Sequence, residues 1–131
     1  MDSRVINPWT WQDRLGFVQG KEVSGAERTL YCAGQTSVDE NGRPLHEGDM
    51  KAQALQAIDN LETVLREAGY ELSDIVRLTI YVTDLPAYRE AAPAVGARLA
   101  QAGVRHTSTL LGISRLAMPE LLIEIEATAV K

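Results

Sequence analysis

At 131 residues, with 45% hydrophobic and 24% charged side chains, the chain has the size of one domain (residues 1–131) and a globular balance, which excludes a disordered chain and separate cofactor and substrate domains. A formal charge of −5 with Lys and Arg scattered along the chain leaves phosphate backbones little to hold, so nucleic acid is not an expected partner. No apolar run is long enough to span a bilayer, and the opening Met1-Asp2-Ser3-Arg4 has no charged-then-apolar leader pattern, so no membrane association and a cytoplasmic location are expected.

Gly16 to Gln35 reads as a β-hairpin, with Phe17-Val18-Gln19 and Lys21–Val23 leading to the polar turn Ser24-Gly25-Ala26-Glu27 and a second strand over Thr29–Ala33. The stretch from Asp39 to Pro44 is a loop, because Asn41-Gly42 favours positive φ and proline cannot extend a ladder. Asp49 can cap the next segment, in which Ala52, Leu55, Ile58, Leu61, Leu65 and Ala68 recur at helical spacing until Gly69. In Ile75–Thr83, Val76, Leu78, Ile80 and Val82 alternate with Arg77, Thr79, Tyr81 and Thr83, a period that a strand satisfies. A second helical stretch covers Pro86 to Ala102, with Gly103 as its stop. Pro93 inside it predicts a kink, or a turn followed by a helix that begins near Pro93. Thr107–Leu116 and Leu121–Val130 complete the order as two strands around Ala117-Met118-Pro119.

The resulting order, ββαβαββ, predicts an α+β two-layer sandwich with both helices on one face of a four-to-six-stranded sheet. The strand residues turned the other way include Tyr81 and apolar groups of Thr107–Leu116, so something should cover part of that face. A second copy of the chain is the expected cover, against the alternative of a half-exposed Thr-rich sheet. One cysteine and two histidines make a poor zinc set, and neither metal nor cofactor is expected.

Three segments carry a resemblance. Tyr31-Cys32-Ala33-Gly34-Gln35-Thr36, Asp59-Asn60-Leu61 with Ala68-Gly69, and Ile123-Glu124-Ile125-Glu126-Ala127 resemble, in order and spacing, segments of the Rid family, the YjgF-like reactive-intermediate deaminases. Asp74-Ile75-Val76-Arg77 and Val82-Thr83-Asp84-Leu85 extend the likeness through the middle. The resemblance implies a chorismate-mutase-like fold and a homotrimer with a central β-barrel and small-molecule clefts between subunits. It also implies hydrolysis of imines and enamines such as 2-aminoacrylate.

Carried over residue by residue, the likeness keeps Glu124, as the group that orients water or moves a proton, and Gly34. It sets Phe17 at a cleft tyrosine, Ala33 at a serine, Ala92 at a helix asparagine and Leu110 at a cleft cysteine. Ser108 falls where the family has a carboxylate-gripping arginine, and Arg105 lies three residues upstream. A shift of three reverses a strand's face, so Arg105 could substitute only through a bulge or a later strand start. Efficient deamination of 2-aminoacrylate or 2-iminopropanoate is therefore not expected. The rival reading is a non-catalytic trimer that senses ligands or binds proteins. Ribonuclease activity finds no basic stripe or catalytic histidine pair. Cys32 reads as buried and inert, and Arg105 and His106 as loop residues.

Overall fold

In the computed structural model, which describes residues 1–131, the chain runs β1 (Asp2–Ile6), β2 (Gly20–Ser24), β3 (Thr29–Thr36), α1 (Met50–Glu67), β4 (Ile75–Val82), α2 (Leu85–Gln101), β5 (Thr107–Gly112) and β6 (Ile123–Val130). Short 3-10 turns lie at Asp13–Leu15 and Leu72–Asp74. The order is the predicted one with an added strand in front. No helix is long and apolar enough to cross a membrane.

The Asp49 carboxylate accepts the Ala52 N–H at 3.0 Å, which satisfies one of the free donors at the start of α1. Gly69, at φ +82°, ends that helix in the left-handed conformation that side chains resist. The predicted stripe holds at Ile58, Leu61 and Leu65, each at most 1% exposed. Its centre lies slightly off the expected line. Ala54, Ala57 and Gln53 are buried, while Ala52 and Leu55 sit at the flank. Gln53 joins three backbone groups: its amide donates to the carbonyls of His46 and Glu120, and its oxygen accepts from Leu122 N–H. This buried side chain fixes the lead-in to β6.

The second helix corrects one expectation. It runs unbroken from Leu85 through Pro93 to Gln101, so no separate helix starts at Pro93. Proline removes one donor, but the Asp84 cap on Ala87 N–H and the buried row Tyr88, Ala91, Val95 and Leu99 carry the helix across it.

The four-stranded sheet has the order β3-β6-β4-β5. β4 is parallel to β5, and β6 lies antiparallel between β3 and β4. Both crossovers, β3-α1-β4 and β4-α2-β5, therefore join parallel strands, as βαβ units require. Leu78, Ile80, Val82, Ile123 and Ile125 on the sheet meet Ile58, Leu61 and Leu65 on α1 within one cluster of 22 buried residues.

The predicted hairpin does not form. β2 pairs antiparallel with β1 in a separate two-stranded ribbon, and β3 pairs with β6 instead. Phe17–Gln19 lies outside any strand. β5 and β6 likewise are not neighbours, because β4 separates β5 from β6.

Candidate functional site

The sequence-predicted residues fall into two groups on opposite sides of the sheet. The first surrounds a cleft of about 430 Å³ between the Trp11–Phe17 segment, α2 and β5, and Phe17, Ala92, Ser108 and Leu110 all line it. Gly16, at φ +81°, ends the 3-10 turn and sends the chain along the cleft. Phe17 then meets Trp11 edge to face, with ring centroids 6.2 Å apart and planes at 79°. Two contacts tie this wall to the start of β5: Val18 N–H donates to His106 C=O at 2.9 Å, and Lys21 Nζ donates to Arg105 C=O at 2.8 Å. Behind it, the fully buried Gln12 donates to Asn7 Oδ1 and accepts from Gln19 Nε2. Tyr88, Val95 and Leu99 add apolar lining from α2.

Register explains why Ser108 and Leu110 belong here. They pair with Leu78 and Ile80, whose side chains are buried beneath the helices, so alternation turns all four to the helix side. Arg105 does not share the cleft. The β4–β5 ladder is in step from Arg77↔Thr107 to Val82↔Gly112, with no bulge, and Arg105 precedes it. It lines an adjoining open cavity with Asp13, and Gly16 and Phe17 border both spaces.

His106, read from sequence as a loop residue, is 4% exposed and lines the cleft. Its Nδ1 has no hydrogen-bond partner within the chain. Burial, and then the nearby Lys21 ammonium, push its pKa down to about 4 against the pull of the Val104 carbonyl. The imidazole is neutral at physiological pH.

The second group lies on the uncovered side. Glu124 stands opposite Tyr81 on β4 and Thr36 on β3. The β3–β6 register shifts between Cys32 and Gln35, which places Ala33 and Gly34 at an irregularity beside the Glu124 carboxylate. A Cβ on Gly34 would collide with that carboxylate, so a side chain here would displace Glu124 from this position. Two residues along β6, Glu126 accepts the Tyr81 hydroxyl at 2.8 Å. That bond, more than burial or the carboxylate charge, holds the Tyr81 pKa above the usual phenol value. Cys32 is buried, and burial pushes its thiol pKa up, away from the reactive thiolate. The cleft that holds Ser108 does not include Glu124.

Two cleft residues escaped sequence reading. Trp11 resembles an anchor for the N-terminal arm. Arg89 resembles a solvated helix charge, although it lies one turn before Ala92 and shares its cleft-facing stripe with Gly96.

Two helices on one side of a mixed sheet, with a cleft between the second helix and the strand after it, define a small α+β domain. The chain belongs to the family described as Endoribonuclease L-PSP, to which the Rid and YjgF proteins belong, and it matches that family over residues 14–131. A RutC family protein of Aquifex aeolicus is 30% identical over 88% of this chain and 88% of its own. The 2-iminobutanoate/2-iminopropanoate deaminase of Salmonella typhimurium is 31% identical, covering 88% of this chain and 87% of that protein. Among solved structures, a Rid-family protein of unknown function from Yersinia pestis superposes over 100% of both chains with a TM-score of 0.88 and 38% identity.

Proposed function

We propose that three copies of this chain assemble through the uncovered side of the sheet and form clefts between subunits that bind and hydrolyse reactive imine or enamine metabolites. The observation that carries this reading is the division of the site. Glu124 and Gly34 lie on one side of the sheet, and Phe17, Ala92, Ser108 and Leu110 on the other. A neighbouring copy can bring one group against the other, as closed cyclic assembly permits. Tyr31, 79% exposed, and Leu111, 44% exposed, leave the uncovered side with apolar surface for such a contact.

The chemistry needs little machinery. Water adds to the electrophilic imine carbon, and the resulting carbinolamine expels ammonia to leave a carbonyl, so the net change is C=N plus water to C=O plus ammonia. The protein has to position the substrate, hold the water and manage one proton. We assign the last two tasks to Glu124; no metal or cofactor is required. Ser108 at the carboxylate-gripping position lacks the charge-assisted contact, worth about 1.5–3 kcal/mol. Small imino acids such as 2-iminopropanoate are accordingly poor substrates.

Light scattering should give about three times the 14.4 kDa chain mass. A stable monomer at micromolar concentration overturns the cleft. Ammonia release from a panel of freshly generated imines should be abolished by Glu124→Gln with the assembly intact. Binding without turnover across the panel would favour a ligand-sensing trimer, a reading consistent with the apolar side chains at Ala33, Ala92 and Leu110.

A further inference from the structure

We infer that Arg89 makes the cleft a receptor for monoanions with an apolar body, its guanidinium holding the anion from α2. The inference rests on the reading that this cleft is the ligand site, and it names the class of ligand that the site takes.

The argument begins with the charges that border the space. Within one chain the lining of the cleft contains no carboxylate, and the proposed assembly brings Glu124 of a neighbouring copy toward it. His106, the only histidine on it, is neutral at physiological pH because burial depresses its pKa. Arg89 is the single charged group that the chain itself contributes to this lining, and a guanidinium keeps its charge at any physiological pH.

The charge is also unspent. Arg89 forms no ion pair and no side-chain hydrogen bond, whereas Arg98, on the same helix, is engaged by Asp59 and Glu62. The acidic neighbour Glu90 borders a different depression, with Asp84 and Lys51. Arg89 is exposed, as are Trp11, Leu15 and Leu110 on the lining, so its attraction for an anion is that of a solvent-exposed cation and weakens as salt rises.

The remaining lining sets the rest of the ligand. Trp11, Leu15, Phe17, Val95, Leu99 and Leu110 offer aromatic and aliphatic surface, which a three-carbon acid cannot cover and a larger hydrophobic group can. The volume of about 430 Å³ lies within the roughly 300–1,000 Å³ usual for small-molecule sites. Ala92 and Gly96 keep the α2 side open, and a Cβ on Gly96 would meet nothing within 4 Å. Ser108 supplies a neutral hydrogen-bonding group for the middle of such a ligand. An anion held from α2 lies across the cleft from an anion held at Ser108 on β5. A ligand anchored in this way is therefore oriented differently from one gripped by a strand arginine.

The test is calorimetric titration of the assembled protein with 3-phenylpropionate and with its neutral amide, at low and high salt. The acid should bind about tenfold tighter than the amide at low salt, and the preference should shrink as salt screens the charge. Arg89→Ala should bring the acid to the amide's affinity and leave the amide unchanged. Arg89→Lys should keep part of the preference, and Arg43→Ala, which removes an exposed loop charge, should keep all of it. Gly96→Leu, which fills the cleft from a site with room for it, should block both probes. If the amide binds and Gly96→Leu blocks it while Arg89→Ala leaves the acid preference intact, the role of Arg89 is wrong and the cleft stands. If neither probe binds saturably, or both bind unimpeded by Gly96→Leu, the cleft reading fails and this inference falls with it.

Discussion

The two faces of the four-stranded sheet solve opposite problems with the same alternating strands. On the helix side, Leu78, Ile80 and Ile125 are at most 5% exposed and close against α1 and α2 of their own chain. On the other side, the same strands present Arg77, Tyr81, Leu111, Glu124 and Glu126 with no element of the chain above them. The first face is complete within one copy and carries stability. The second is a mixture of charge, hydroxyl and apolar surface, which the proposed assembly would cover with another copy. Candidate chemistry lies on both sides, so the strands that hold the fold together also divide the site.

The sharpest way to break this contrast is a matched pair of changes. Ile125→Ala should cost about 3–4 kcal/mol in urea unfolding, because it opens a cavity in the closed face. Leu111→Arg should leave the circular dichroism of the chain intact and reduce the mass measured by light scattering to one chain. Equal destabilisation by both changes, with the mass unaltered, would erase the distinction between the faces. A smaller loss, about 2–3 kcal/mol, is expected for Gln53→Leu, since His46 C=O, Glu120 C=O and Leu122 N–H would lose their shared partner. Backbone exchange at Leu122 should rise in that variant.

His106 provides a titration of the helix-side cleft. The folded state holds it neutral with a pKa of about 4, against 6.5 for the ordinary group. The unfolded chain therefore binds the proton more readily between those values. Stability is unaffected by this residue well above pH 6.5 and falls as pH drops from 6.5 to about 4, by roughly 3 kcal/mol in total. His106→Gln should flatten the urea-midpoint profile in that window, and a profile identical to that of the parent protein would refute the assignment. The smallest effect belongs to the outer surface of the helix layer. Arg98→Ala, which breaks contacts to Glu62 and Asp59 at 3.1 and 3.7 Å, should cost about 0.5–1 kcal/mol, and less at high salt.

How far the molecule was legible from sequence differed by element. α1 and β4 announce themselves, because a cap, a stop and a regular apolar period sit within a single window. β1 does not, since Asp2-Ser3-Arg4 opens it with polar residues and its partner β2 lies beyond the 3-10 turn. The predicted hairpin failed for a related reason. Ser24 extends β2 and the connection falls on Gly25 to Arg28, and the strands it joins belong to different sheets. At the site, Phe17, Ala92, Ser108 and Leu110 were named together and lie together. Arg89 was passed over because a lone arginine on a helix has the pattern of a solvated charge. His106 reads as a loop residue and does precede β5, but its burial is not written in its neighbours.

What the sequence by itself determined, then, is the family, the first helix and the span of the second, the alternation of the central strands and which residues of each strand share a face. All of these rest on contacts or periods within a few residues, or on the order of segments along the chain. Only the tertiary structure decided that β3 lies beside β6, that the first two strands form a ribbon of their own, and that Glu124 and Ser108 point to opposite sides of one sheet. Pairing and register between distant segments are chosen by loop closure and by which faces can be buried together, and a one-residue slip would exchange the two sides.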